Sequence, residues 1–322
     1  MAGIAIADPP TDARTARYLT AERAVWEHYG LSPRETFLEL DSPACRLRAL
    51  ELGSGEPVVF VHGTVGPAAW ASLVQELGGF RSIVLDRPGW GLSSPIDFAD
   101  RDYGEVVADV LRGALDALGL RTARVVGGSI GNVWALRLAE RHPRRVTEVC
   151  MLGGGPIVPE AGVPGVIRLV ASPAGALFVR VMNSPSSVRA MLRRSGHGAS
   201  LDAGLIPDAV LEWRAAAARD TNAMQYERAM VRQIVKGGTY TSDLTFDDGE
   251  LAAIQAPTLI VYGSEDGVGS VDVWRRVAGV IAHANLRVVA GAGHMPWLDD
   301  PSGVAAHVRR FFHPPGAQRS SS

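Results

Sequence analysis

Val125-Val126-Gly127-Gly128-Ser129-Ile130-Gly131 sets a serine between two glycines, at the junction of an apolar β-branched run and a stretch of helical periodicity. The pattern is G-x-S-x-G, and its setting between a predicted strand and a predicted helix is what gives it meaning. A serine at the tip of such a turn has strained backbone angles and passes close to its neighbours. Glycines two residues before and two after remove the side chains that would collide there. The turn lifts the Ser129 hydroxyl clear of the backbone, and the following helix points its N-terminal amides at any developing negative charge.

Working outward, residues 57–61, 82–85, 123–126, 146–152 and 257–262 are short apolar runs of the kind that form strands covered on both faces. Helical spacing occupies 67–77, 103–118 and 130–140, with stops at Gly119 and at His142-Pro143. Residues 36–40 and 46–52 alternate apolar with polar and read as an antiparallel pair at a sheet edge. A strand at 286–289 and helices at 271–281 and 301–312 complete the alternation. The fold class that follows is α/β, a doubly wound, mostly parallel sheet. Between Gly155 and Glu250 the alternation stops. Helical segments at 166–181, 187–194, 207–219 and 222–236 without a convincing strand predict a helical insertion over the sheet. The expected organisation is an N-terminal extension with a short helix at 17–29 (1–34), a core (35–155 and 251–313), a helical cap (156–250) and a disordered tail (314–322). The first residues, to about Ala16, are expected to be mobile.

A hydroxyl needs a base to become a nucleophile. Of the eight histidines, His294 lies in Gly291-Ala292-Gly293-His294-Met295-Pro296, after a predicted strand, at the sheet edge where Ser129 also ends. Reactive groups of open parallel sheets gather at that edge. His28, His142, His197, His283, His307 and His313 read more simply as surface or capping residues, and His62 as a structural loop histidine. The base in turn needs an acid. Asp266 follows the strand at 257–262, with Glu265 as its adjacent rival. Phe60-Val61-His62-Gly63-Thr64 closes another strand, so the Thr64 amide, or that of Val65, can pair with the Ile130 amide as an oxyanion hole. Such donors are each worth roughly 3 kcal/mol of barrier.

The 322-residue chain is 47% hydrophobic, 20% charged and carries a formal net charge of −2. That balance supplies a core and argues against broad capture of nucleic acid or anionic membrane. Cys45 and Cys150 are too few and too distant for a disulfide framework, and Cys150 reads as a buried core side chain. No apolar run is long enough for a membrane span, and no basic-then-apolar leader opens the chain. The expected location is the cytoplasm.

The segments HGT (62–64), LDRPGWGLSS (85–94), GGSIG (127–131), APTLIVYGSED (256–266) and GAGHMPWLDDP (291–301) resemble the α/β-hydrolase fold superfamily, in its helical-cap branch, over about residues 35–312. The resemblance implies a serine, acid and histidine at Ser129, Asp266 and His294, an oxyanion amide at Thr64, and a mainly structural loop at 86–89. A serine nucleophile speaks against haloalkane dehalogenase and epoxide hydrolase chemistry, which needs a carboxylate. The expected function is hydrolysis of a medium-sized, largely apolar carboxylic ester or lactone through an acyl-serine intermediate, without metal or organic cofactor. Carbon–carbon bond hydrolysis of diketone-like acids, and a non-hydrolytic binding or biosynthetic protein, are the alternatives. Trp90, Trp213 and Met224 are candidate substrate-binding residues, with Leu169, Phe178, Met182 and Met230 as further apolar residues of the same region. The cap arginines Arg168, Arg180, Arg189, Arg193 and Arg194 read as a solvated face, or alternatively as a site for an acidic substrate.

Overall fold

The computed structural model describes residues 12–181 and 183–313. The expectations for residues 1–11 and for the tail 314–322, and the pocket candidate Met182, lie outside the described residues. Helix α1 (Ala13–His28) starts a turn earlier than periodicity predicts, because Asp12 caps it by accepting from the Arg14 and Thr15 amides. Residues 13–16, expected to be mobile, are therefore helical. Then follow β1 (Arg34–Asp41), β2 (Ala44–Leu52), β3 (Glu56–Val61), α2 (Ala71–Leu77), β4 (Phe80–Leu85), α3 (Tyr103–Ala117), β5 (Ala123–Gly128), α4 (Ile130–Arg141) and β6 (Val146–Leu152).

The insertion carries α5 (Gly165–Ala171), α6 (Gly175–Val181), α7 (Pro185–Leu192), α8 (Gly198–Asp202), α9 (Asp208–Asp220) and α10 (Ala223–Ile234). The single helix expected over 166–181 is two. Ser172, which precedes Pro173, takes an extended conformation (ψ 165°) and ends α5. A two-residue hairpin, β7 (Val235–Lys236) with β8 (Thr239–Tyr240), stands where the last cap helix was expected to reach residue 236. Helix α11 (Asp248–Ala252) leads back to β9 (Thr258–Gly263), α12 (Val271–Val280), β10 (Ala284–Val289), α13 (Pro296–Asp299) and α14 (Pro301–Phe312).

The main sheet has the order β1-β2-β4-β3-β5-β6-β9-β10. Pairing is antiparallel from β1 through β2 to β4 and parallel from there on. The inner strands are apolar on both faces because each face is covered. Val59 and Val61 of β3 enter one core with α3, α4 and α12, while Val58 and Phe60 enter the other with α2 and α14. Cys150 belongs to the second core, and both cysteines are free and buried.

Helix α1 is tied to both the sheet and the insertion. Arg48 of β2, 4% exposed, donates to Glu22 of α1 (2.7 Å), to Asp86 after β4 (3.3 Å) and to Glu35 of β1. The Tyr18 hydroxyl donates to Glu22 at 2.7 Å. At its outer end α1 packs on α9, with an Arg17–Asp220 ion pair of 2.7 Å. Burial pushes the Asp86 carboxyl up to about 7 against the pull of Arg48, with the Glu22 charge adding to the rise. Removing the shared cation leaves buried carboxylates uncompensated. Arg48→Ala is therefore expected to lower unfolding stability by about 3–5 kcal/mol in urea titration. A loss under about 1 kcal/mol, the scale of an exposed pair, would show that the cluster is not a clamp.

Candidate active site

Strand β5 ends at Gly128 and α4 begins at Ile130, so Ser129 alone makes the turn, at φ 55° and ψ −122°. A non-glycine residue held there costs on the order of 1–3 kcal/mol. The neighbours hold it: the Ser129 amide donates to Leu152 O (3.3 Å), and its carbonyl accepts from the Asn132 amide (3.0 Å). At Gly131 a methyl group would stand 2.1 Å from the Val61 carbonyl oxygen, which explains why no side chain is present at that position.

Three residues far apart in sequence meet at this turn. His294 Nε2 lies 3.0 Å from Ser129 Oγ, and His294 Nδ1 lies 2.9 Å from Asp266 Oδ1. Asp266 also accepts from the Val268 amide (2.8 Å) and, through Oδ2, from the Gly154 amide (2.6 Å). Burial alone would raise its carboxyl, but the His294 charge and hydrogen bond and the two amides outweigh it, holding the group below the ordinary value. A carboxylate only accepts, so the histidine proton sits on Nδ1 and Nε2 is free to accept from the serine hydroxyl. Burial likewise pulls the His294 pKa down, and Asp266 more than reverses it. The neighbouring Glu265 is turned away, accepting from Ser264 Oγ at 3.1 Å.

The loop after β3 passes against the serine. A methyl at Gly63 would lie 2.7 Å from Ser129 Cβ, which brings Thr64 beside the turn where the Ile130 amide opens α4. His62 is fully buried; its Nδ1 donates to Gly63 O (2.6 Å) and its Nε2 accepts from the Arg87 amide (3.0 Å). Burial, and then the Arg87 charge, push its pKa well down, so it stays neutral and holds the loop. Arg87 donates to Gly63 O (3.2 Å) and to Glu227 of α10 (3.0 Å). Trp90 and Trp213 both pack on Gly66 of the same loop, and Trp90 Nε1 donates to Glu227 at 2.7 Å. Met224 accepts from Arg214 at 3.2 Å. Leu169, by contrast, is exposed, and Met230 is engaged by Arg87 and Tyr103.

Two residues that the sequence reading did not place here stand out. Arg214 of α9 is buried, donates to the Thr64 carbonyl (3.0 Å) and forms no ion pair among the described residues. Burial lowers its pKa to about 10, with Glu227 pulling the other way. The cap arginines considered from sequence are less engaged at depth: Arg189 and Arg193 pair with Asp208 (2.7 Å) and Asp202 (2.6 Å) at the surface. The signal for Arg214 was the spacing Val210–Arg214–Ala217, a cation on the apolar face of a predicted helix. His197, read as a surface or capping residue, is instead fully buried beside the His294 loop.

Among the described residues, no group of three or more His, Cys, Asp or Glu side chains could hold a metal ion, and no helix is long and apolar enough to cross a membrane. A sequence model of the alpha/beta hydrolase fold family matches residues 56–301. The chain belongs to that family. It is 31% identical, over 76% of its length and 83% of the relative's, to a 2-hydroxy-6-oxononadienedioate/2-hydroxy-6-oxononatrienedioate hydrolase of Pseudomonas putida. A meta-cleavage product hydrolase from Pseudomonas fluorescens shares its fold at a TM-score of 0.69 and 21% identity, covering 86% of this chain and 96% of that one. A carboxylesterase from Bacillus subtilis does so at 0.71 and 18%, covering 94% and 99%.

The electrostatics predict a measurable titration. Nuclear magnetic resonance should place the His294 midpoint above the ordinary histidine value of about 6.5. In Asp266→Asn, with burial unopposed, it should fall below the wild-type value. An unchanged midpoint in that variant would mean that the two side chains do not interact in solution.

Proposed function

We propose that this protein is a serine hydrolase that cleaves a carbon–carbon bond in a diketone-like acid of the 2-hydroxy-6-oxo-dienoate type, with Ser129 as nucleophile, His294 as base and Asp266 as orienting acid. The relay of 2.9 and 3.0 Å bonds supports the hydrolase part of the reading. The observation that carries the substrate class is Arg214: a buried guanidinium, without an ion-pair partner among the described residues, beside the loop that passes Ser129. Glu227, the opposing charge it feels, is already paired with Arg87, so a bound acid would supply the ion-pair partner that Arg214 lacks among the described residues. Relatives named as hydrolases of dienoic acids point the same way. The cap, residues 156–250, supplies Arg214 together with the buried Trp213 and Met224.

The chemistry follows on the tautomer in which the carbon next to the remote ketone is saturated. His294 Nε2 takes the Ser129 proton as Oγ attacks that ketone, and the Thr64 and Ile130 amides face the oxyanion. Collapse of the adduct breaks the adjacent carbon–carbon bond, and its electron pair runs through the conjugated chain to the oxygen beside the carboxylate. A guanidinium at that end favours the departing dienolate, which takes the proton from His294. Water, deprotonated by His294, then releases the acyl group as a carboxylic acid and restores the serine. One diketo acid and one water give one acid and one hydroxydienoic acid.

A second reading is hydrolysis of a largely apolar ester or lactone by the same relay, because the Asp266–His294–Ser129 bonds do not distinguish which acyl bond is cleaved. The free Cys45 and Cys150 fit a reducing compartment such as the cytoplasm. Two assays separate the readings: loss of ultraviolet absorbance of 2-hydroxy-6-oxo-6-phenylhexa-2,4-dienoate, and release of p-nitrophenol from a butyrate ester. Ser129→Ala should lower both by on the order of 10⁴-fold or more. Arg214→Gln should lower kcat/KM for the dienoate by about 10–100-fold, the worth of a charge-assisted hydrogen bond, while sparing the ester. Equal losses on both substrates, or no turnover of dienoates by the wild type, would favour the ester reading. For either substrate, kcat/KM should fall on the acid side with a midpoint above the ordinary histidine value, because the base works only when neutral.

A further inference from the structure

Between α7 and α8 the insertion makes a wide kinked turn, Arg193–His197, in which Ser195 and Gly196 leave helical angles (Gly196 φ 91°). This turn lies directly on the loop that carries His294. Three consecutive amides of that loop are each held. Gly293 donates to Asp299 Oδ2 (2.8 Å), His294 to the Ser195 carbonyl (2.9 Å) and Met295 to His197 Nε2 (3.3 Å). His197 Nδ1 in turn lies 2.8 Å from Asp299 Oδ2, and Ser200 Oγ donates to Asp299 Oδ1 at 2.5 Å. The His197 proton therefore belongs on Nδ1, facing the carboxylate, and its Nε2 lone pair faces the Met295 amide. Contact is close enough to exclude side chains. A methyl at Gly196 would lie 2.7 Å from both Glu265 O and Gly293 Cα, so the turn touches the acid loop as well as the histidine loop.

We propose that His197 is a positioning residue, acting with Asp299 to lock the cap's kinked turn onto the 293–295 backbone and so fix the imidazole of His294 between Asp266 and Ser129. The inference rests on the triad reading above and extends it: the geometry of the base is set from the cap as well as from the core. His197 and Asp299 have the partner logic of a base and acid pair, but no serine hydroxyl completes it; Nε2 is spent on a backbone amide. Their role is mechanical. The histidine sits at the end of a loop, and a loop offers its side chain many orientations. Fixing the amides on both sides of His294, and its own, removes that freedom before substrate arrives, which is where a misplacement near 1 Å costs about 10²-fold.

The test uses the full chain and two readouts: the rate at which a fluorophosphonate probe labels Ser129, and the pH dependence of that rate. His197→Phe keeps a ring and loses both hydrogen bonds; His197→Gln keeps an acceptor towards Met295; Asp299→Asn keeps His197 and weakens its anchor. His197→Phe should slow labelling by on the order of 10–100-fold, with His197→Gln recovering part of the loss. Its acid-side midpoint should shift down as His294 loosens from Asp266. Melting temperature and near-ultraviolet circular dichroism identify an unfolded variant, and if His197→Phe does not fold, the Gln and Asn variants make the same comparison. Labelling at the wild-type rate in the folded variants, or a loss without a shifted midpoint or recovery by Gln, overturns the positioning role and leaves the triad standing. No labelling of the wild type, or labelling that survives Ser129→Ala, overturns the triad itself.

Discussion

Parallel pairing puts the carboxyl ends of β3, β5, β6, β9 and β10 on one rim, and the meeting of Ser129, Asp266 and His294 depends on that alignment. Val61 pairs with Gly127, Gly128 with Leu152, Leu152 with Val261, and Gly263 with Val289. The residue that follows each strand is therefore a neighbour of the others whatever its distance in sequence. Thr64, Ser129, Gly154, Asp266 and His294 all sit a few positions past such an end. Gly154 shows how much the rim does: its amide, after β6, is one of the groups that keeps Asp266 ionised.

Over this rim the insertion is attached in two physically different ways. At its outer side it is tied through α1, whose Arg17 pairs with Asp220 and whose Glu22 shares the Arg48 cluster with Asp86. Those are charge contacts, one partly exposed and one buried, and they fix where α9 lies. At the inner side the attachment is through hydrogen bonds to backbone amides at 293–295, which fix where one imidazole lies. Arg214 belongs to α9, so the helix steadied by α1 is also the one that carries a cation to the Thr64 carbonyl.

The fold, and the three side chains that the structure brings together, were legible because each rests on a local signal. Alternating apolar strands and helical spacing give the sheet, and Ser129, Asp266 and His294 each follow a strand end that can be located by its apolar run. Asp266 was preferred to its rival Glu265 on sequence, and one residue of loop path turns Asp266 to His294 and Glu265 to Ser264. The break at Ser172-Pro173 was written in the sequence and passed over in favour of the longer apolar period. The Asp12 cap lay ahead of the first apolar residue and was missed for that reason. His197 was illegible for a deeper cause: its partners, Asp299 and the Met295 amide, lie about a hundred positions away, and nothing in the run Arg193–His197 hints at a kink that aims it inward.

The loop after β3 shows how a buried charge can set the direction of a peptide dipole. The carbonyl of Gly63 and the amide of Thr64 belong to one planar, trans peptide unit, so they point in opposite directions. His62 Nδ1 and Arg87 Nη2 both donate to Gly63 O. They thereby turn the Thr64 N–H away from themselves and hold it there. Arg214 donates to the next carbonyl, that of Thr64. The Arg87 guanidinium and a neutral imidazole thus fix the Gly63–Thr64 peptide plane beside Ser129. A donor oriented before the reaction need not reorganise when negative charge develops, which is the source of its catalytic worth. The 86–89 loop, for which the resemblance implies a structural role, meets the Gly63 carbonyl through Arg87.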